Sequence, residues 1–273
     1  MRIAAPAKIN LTLEVLDRRD DGYHALRSVM VPLELCDTLE ITEAPAFSFT
    51  CSDPALQNDH NLVVRAVKAI ARNVKRAIHL EKVIPTQAGL GGGSSDAASI
   101  LLAAMQDAFG SIPDVDWVNV ARTLGSDVPF FLAQSGALVE GTGERVTAVG
   151  SLPPWHVLLV KPPVAVSTAT AFEELDRHAL GSRPRSDSVS LQMVEALQAH
   201  DFARVTQLLS NDFHDVIDHS AATNSMLLSG SGSTLFALAE TEAEIVAMDE
   251  CLDLPPDFLR FRTRFRNSDA WRA

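Results

Sequence analysis

The sequence predicts an α+β protein of two domains: a mixed α/β nucleotide-binding half, then a half built as an antiparallel sheet with helices on one face. Three observations carry this. Strand-type and helix-type periodicities interchange along residues 2–149 and again along 157–266. A proline break, Ser151-Leu-Pro153-Pro154, separates the two stretches. At 273 residues and 47% hydrophobic content, the chain is long enough for two moderate cores.

In order, residues 2–15 and 28–42 alternate as strands, 61–73 repeats at helical spacing, and 77–83 returns to a strand. Helices follow at 95–109 and 114–123, then a hairpin over 135–149 turning at Gly141-Thr-Gly143. With the boundary at the proline break, the domains are 1–152 and 153–273. The second opens with the apolar run Val157-Leu-Leu-Val160, a buried strand. Helices at 168–178, 188–199 and 201–217 come next, then a strand at 233–239, a helix at 241–252 and a strand at 258–266.

A formal net charge of -12 argues against a nucleic-acid partner or an anionic membrane surface, which need a basic face. Cys36, Cys51 and Cys251 are odd in number and lack metal-type spacing, as expected of packing residues in a reduced cytoplasmic protein. No apolar run reaches membrane-spanning length, and Met1-Arg2-Ile3 enters a strand directly rather than a signal-peptide core.

The segment Pro85-Thr-Gln-Ala-Gly89-Leu90-Gly91-Gly92-Gly93-Ser94-Ser95-Asp96 runs straight into the helix of Ala97, Ile100, Leu101 and Ala104. Four glycines remove the Cβ atoms that hold a backbone away from a polyanion, and Ser94-Ser95-Asp96 offers N-cap chemistry. Free N–H groups and the positive end of the helix dipole then form an anion site. The segment lacks the Gly-Lys pair of a P-loop, and Ser94 stands where a dinucleotide fingerprint needs its third glycine.

Along Ala7-Lys8-Ile9-Asn10-Leu11-Thr12-Leu13, alternation places Ile9, Leu11 and Leu13 on one face and Lys8, Asn10 and Thr12 on the other. Lys8 is in mid-strand, where an ammonium either snorkels from an edge or meets an anion. The other lysines, 68, 75, 82 and 161, sit on helices or at element ends, where solvent explains them. In Gly125-Ser126-Asp127-Val128-Pro129-Phe130-Phe131, Asp127 is a helix cap or a carboxylate partner for Lys8. Ser229-Gly230-Ser231-Gly232-Ser233-Thr234 is a plain turn or a place where a backbone closes on the phosphate loop.

Together these segments resemble the motifs of the GHMP small-molecule kinases, in order and over essentially the whole chain. The resemblance implies a two-domain GHMP kinase fold, with ATP and Mg²⁺ as cofactors. Pro85, Gly89, Leu90, Gly91, Gly92, Gly93, Ser94 and Ser95 would hold ATP, with Asn61 and Lys82 on the adenine side. Lys8 and Asp127 would be catalytic, and Ser95 is a metal ligand by analogy. Pro6-Ala-Lys-Ile-Asn-Leu11 followed by Arg18-Arg-Asp-Asp-Gly-Tyr23-His24 is similar to the branch whose substrate is a cytidine-diphosphate-linked methylerythritol. That likeness assigns Asn10, Tyr23, His24, Thr168 and Phe172 to the substrate, with the rings of Tyr23 and Phe172 about the cytosine. A homoserine- or mevalonate-type kinase and a non-catalytic nucleotide binder stay open, as do monomer and homodimer. Gln87 and Met30 depart from the family pattern, which favours glycine and an aromatic there.

Two other clusters read as structural. His214 and His219, among Asp212, Asp215 and Asp218, are five apart and do not stack as i,i+4 metal ligands. Arg260, Arg262, Arg264 and Arg266 share one strand face, as a solvated edge that discourages pairing.

Overall fold

The computed structural model describes residues 1–18, 24–71, 73–110, 112, 115–164, 166–177, 188–214 and 226–267. The first half contains β1 (Arg2–Arg18), β2 (His24–Glu43), β3 (Ser48–Cys51), α1 (Leu62–Ile70), β4 (Arg76–Glu81), α2 (Gly92–Met105), α3 (Trp117–Leu124), α4 (Val128–Leu132), β5 (Gly136–Gly141) and β6 (Arg145–Gly150). The second contains β7 (His156–Lys161), α5 (Thr168–Arg177), α6 (Val189–Gln198), α7 (Phe202–Leu208), β8 (Ser210–Asn211), β9 (Leu227–Leu228), β10 (Leu235–Ala239), α8 (Glu242–Cys251) and β11 (Leu259–Arg264).

Among the described residues, β1 to β6 and β8 form one sheet and β11-β7-β10-β9 a second, fully antiparallel one. The first sheet is organised by β2. One edge of this 20-residue strand pairs with β1 along its length. The other edge pairs with β5 through Leu26–Met30 and with β4 through Thr38–Glu43. One strand thereby orients the glycine-loop strand, the hairpin and the N-terminal strand together.

Alternation decides what each face buries. Leu39, Ile41, Ile78, Leu80 and Val139 pack under α1 to α4, with Ala97, Ile100 and Leu101 of α2 at the centre. Ile9, Leu11, Val29, Val31 and Leu33 pack instead against α6, α7 and one face of the second sheet, Val157, Leu159, Phe236 and Leu238. The opposite face of that sheet, Leu158, Val160 and Leu235, is covered by α5 and α8. Met30 lies in the core beneath the first helical layer.

Several expectations change. A register shift between Asn10 and Thr12 interrupts the alternation, so Thr12 bonds Ser190 and the Val29 amide instead of joining Lys8 and Asn10. The expected helix over 201–217 ends at Leu208, and its described remainder supplies β8, which runs parallel to β1. Asp212 stabilises this exit by accepting from the Val15 amide at 2.7 Å. β3 and α4, absent from the sequence reading, are short elements supported by β4 and α2. Cys36 and Cys51 are packed thiols, with burial pushing Cys36 up to about 11, whereas Cys251 is exposed. The arginines of the edge strand β11 are paired: Arg260 and Arg262 with Asp249, Arg264 with Glu34. Arg266 lies beyond the strand and is buried, its guanidinium meeting Cys36. His214 accepts from the Leu228 amide; His219, Asp215, Asp218 and the end of the expected helix lie outside the described residues. Among the described residues no helix is long and apolar enough to cross a membrane.

Asn211 has a disproportionate part in this arrangement. Its buried amide donates to the carbonyls of Leu228 and Gly230 and accepts from the Phe213 amide. Asn211→Ala would strand all three groups, and a loss of about 2 kcal/mol or more in urea denaturation is expected.

Candidate active site

The glycine loop connects the end of β4 to α2, and each end of it is held by charge. At the entrance, Asp37 of β2 is fully buried and accepts from the amides of Val83 and Ile84 at 2.6 and 2.8 Å. Its other oxygen lies 2.5 Å from the ammonium of Lys82, which also donates to Asp96 of α2 at 3.0 Å. Lys82 is therefore a buried ion-pair centre and not a solvated strand end.

One ammonium between two buried carboxylates balances only one of them. Burial pushes Asp96 up to about 8, with Lys82 opposing that rise and Asp37 adding to it. Burial alone would lower Lys82, but Asp96 and Asp37 hold its pKa above the ordinary value. Near neutrality the cluster thus keeps a proton on Asp96 and carries little net charge. Neither Asp37 nor the burial of Lys82 carries a local sequence signal.

Helix α2 begins three residues earlier than expected. Its N-cap is Gly91, at φ 69° with no side-chain cap bond, so Ser94, Ser95 and Asp96 lie inside the helix. The glycines mainly admit other parts of the protein. A Cβ on Gly89, at φ +73°, would stand 2.1 Å from the Ser229 carbonyl. On Gly91 it would meet Phe131 at 3.0 Å and Cγ of Lys8 at 3.1 Å. Only at Gly93 would a Cβ meet nothing closer than an ordinary contact, 3.5 Å to Leu62. Gln87 holds φ 50°, the left-handed region that explains why glycine suits its position.

A second glycine turn closes on the first. Ser229 Oγ donates to the Gly89 carbonyl at 3.0 Å, and the Thr234 amide donates to the Ala88 carbonyl at 3.2 Å. Lys8 sits between the two turns. Its amide donates to the Leu90 carbonyl, and its ammonium donates to Asn10 Oδ1 at 2.6 Å. Asn10 donates to Ser28, which donates to the Thr12 carbonyl. Asp127 Oδ2 lies 3.6 Å from Lys8 Nζ, and Asp127 makes no side-chain cap bond to α4. Of the two sequence readings of Asp127, the geometry supports the carboxylate partner. Burial lowers the Lys8 pKa, and Asp127 opposes that fall.

Pro85, Asn61, Lys82 and Gly89–Ser94 line one groove with Leu56 and His60. Asn61 also caps α1, accepting from Val63 and donating to Leu56. A third cluster lies at the far end of the β1–β2 hairpin. His24 stacks on Phe172 of α5, with centroids 5.6 Å apart and planes 12° apart, and Phe172 meets Phe213 edge-on. Thr168 is the first residue of α5, and Tyr23 lies outside the described residues. Ser28, Asn211 and Asp176, which the sequence reading passed over, position or adjoin these groups. Lys161, expected in solvent, is buried and donates to the carbonyls of Pro162 and Val164.

A two-sheet α+β fold with a glycine loop entering a helix, and a lysine–carboxylate pair beside it, defines a kinase of the GHMP class. Residues 61–135 match the family model described as GHMP kinases N terminal domain. Over most of its length the chain is 42% identical, across 260 residues, to the 4-diphosphocytidyl-2-C-methyl-D-erythritol kinase of Deinococcus radiodurans, covering 89% of this chain and 85% of that one. It is 39% identical across 269 residues to the kinase of the same name from Chlorobaculum tepidum, covering 92% and 93%. A crystal structure of 4-(cytidine 5'-diphospho)-2C-methyl-D-erythritol kinase shares the fold at a TM-score of 0.74 and 32% identity, over 97% of this chain and 99% of that one. The chain belongs to the 4-diphosphocytidyl-2-C-methyl-D-erythritol kinase family.

Gly89→Ala combines a left-handed backbone with a backbone clash, and a destabilisation of about 3 kcal/mol is expected in chemical denaturation. Asp96 has the opposite sign from an ordinary ion-paired carboxylate. A folded-state pKa raised to about 8 gives a contribution fully present below the unfolded pKa and lost as pH rises through the folded one. The stability of wild type relative to Asp96→Asn is therefore expected to fall between about pH 4 and pH 8, read as melting temperatures of both proteins across that range.

Proposed function

We propose that this protein transfers the γ-phosphoryl group of ATP to the 2-hydroxyl of 4-diphosphocytidyl-2-C-methyl-D-erythritol, in the methylerythritol phosphate route to isoprenoids. The observation that carries the chemistry is the contact of Lys8 with Asp127 directly against the glycine loop. The substrate oxygen forms a bond to the γ-phosphorus as the bond to the β-bridging oxygen breaks, and ADP leaves. Asp127 orients the attacking hydroxyl and accepts its proton. Lys8, held in place by Asn10, offsets the negative charge that develops on the equatorial oxygens.

The glycine loop and the first turn of α2 hold the phosphates, and the groove reaching Asn61 and Lys82 takes the nucleoside. Ser95 Oγ is buried with no hydrogen-bond partner among the described residues, an oxygen that fits a hard cation. It would hold Mg²⁺, which when bound neutralises phosphate charge. At the other end of the hairpin, His24 and Phe172, with Tyr23 and Thr168, take the cytidine diphosphate. The chain divides functionally at residue 152, with 1–152 bearing the nucleotide loop and 153–273 bearing Phe172 and the second glycine turn. Its three free thiols suit the cytoplasm.

ADP release with Mg-ATP tests the reading, comparing the cytidine-linked methylerythritol with homoserine, mevalonate and no acceptor. Release dependent on the cytidine compound is expected; equal release with homoserine or mevalonate would sink the substrate assignment. Asp127→Asn is expected to lower kcat by about 10²–10⁴-fold while ATP affinity stays within about threefold.

A further inference from the structure

The geometry points to Ser28 as the residue that fixes the Asn10 amide with its oxygen toward Lys8, a positioning residue for phosphoryl transfer. This rests on the reading of Lys8 as the group that offsets charge on the transferred phosphoryl.

Ser28 of β2 is 1% exposed, and its hydroxyl stands in the middle of a chain of bonds. Lys8 Nζ donates to Asn10 Oδ1 at 2.6 Å, Asn10 Nδ2 donates to Ser28 Oγ at 2.8 Å, and Ser28 Oγ donates to the Thr12 carbonyl at 2.6 Å. The two ends leave no choice of direction, since an ammonium only donates and a carbonyl only accepts. The one proton of Ser28 is committed to Thr12, so toward Asn10 the hydroxyl offers only a lone pair. Asn10 must then turn its amide nitrogen to Ser28 and its oxygen to Lys8.

The same serine bridges an irregularity in the sheet. β1 shifts register against β2 between Asn10 and Thr12, and Ser28 bonds to the residue on each side of that shift. Irregularities of this kind re-aim side chains beside functional sites. The amide that meets Lys8 is thereby anchored to backbone rather than to another mobile side chain.

Without the hydroxyl, Nδ2 of Asn10 is buried with no acceptor, a loss the amide recovers by turning away. Turning brings an N–H toward the ammonium or withdraws the oxygen from it, and both disfavour the charged lysine. Asp127 is the ionisable group that faces this ammonium among the described residues. The groups beside the Lys8 side chain on β1 and the two glycine turns, Asn10, Gly91 and Gly230, are uncharged. Burial already lowers the Lys8 pKa, with Asp127 opposing that fall, and loss of the Asn10 acceptor lowers it further. Activity that needs the ammonium is then lost at a lower pH.

The test measures kcat and KM with Mg-ATP and the cytidine-linked methylerythritol from about pH 6 to about pH 10, for wild type, Ser28→Ala, Asn10→Ala and the double variant. Ser28→Ala is expected to lower kcat by about 10- to 30-fold with the KM for ATP within about threefold, and to move the alkaline fall of kcat down by about one pH unit. In an Asn10→Ala background, removing Ser28 is expected to change kcat by less than about threefold, because the hydroxyl then has no amide to orient. Ser28→Cys nearly keeps the volume and weakens both bonds. It is expected to shift the alkaline fall in the same direction, and serves if the alanine variant folds poorly. An alkaline fall that stays in place in both variants, or an equal loss on removing Ser28 with and without Asn10, overturns the role of Ser28 and leaves the proposed reaction standing. Absence of turnover by wild type overturns the proposed function itself, and with it this inference.

Discussion

The buried ammonium of Lys8 is the point on which both glycine turns close. A cation this deep costs several kcal/mol unless it is paired and hydrogen-bonded; Asn10 accepts from it and Asp127 pairs with it at 3.6 Å. Its amide and its Cγ also contact the loop itself, at Leu90 and Gly91, and a Cβ on Gly230 would reach within 3.1 Å of its Nζ. Neither turn keeps its place without the other, because Ser229 and Thr234 bond directly to Gly89 and Ala88. The site is built from one strand and two loops that exclude any larger residue at their meeting point. That exclusion fixes the ammonium to a small volume, the preorganisation that electrostatic catalysis needs.

A second buried charge cluster performs a different task a short distance along the chain. Asp37, Lys82 and Asp96 join β2, the segment after β4, and α2, and Asp37 also takes the two amides that lead into the glycine loop. The loop is thus restrained at both ends while its middle faces the groove. Paired carboxylates about one lysine would destabilise the fold if all three were charged, and the proton held by Asp96 relieves that. The order of the glycine-loop backbone is therefore coupled to a protonation state beneath it.

The larger architecture puts the remaining groups within reach. β2 serves two strands with successive halves of one edge, and β8 brings Asn211 from the second half of the chain to the first sheet. From there Asn211 holds the carbonyl of Gly230, which faces Lys8. The paired strands β1 and β2 carry Lys8 near their middle and His24 at one end, so one strand pair spaces the Lys8–Asp127 contact from the aromatic cluster.

Much of this was legible in the sequence, wherever the signal was local. The glycine run before an apolar helix, the mid-strand lysine and the hairpin glycines each follow from backbone freedom and alternation within a few residues. The helix start was misplaced because Gly91 takes a left-handed turn that frees Ser94 to Asp96 from capping. β8 was read as helix because a parallel pairing to β1, 197 residues away where Asp212 meets Val15, has no local trace. The same holds for Asp37 under Lys82, Ser28 behind Asn10 and Asp176 beside His24. The sequence by itself determined which residue types could do the chemistry and on which elements they sit. Only the tertiary structure decided which charges are buried and with whom, because desolvation and pairing depend on neighbours brought from distant parts of the chain.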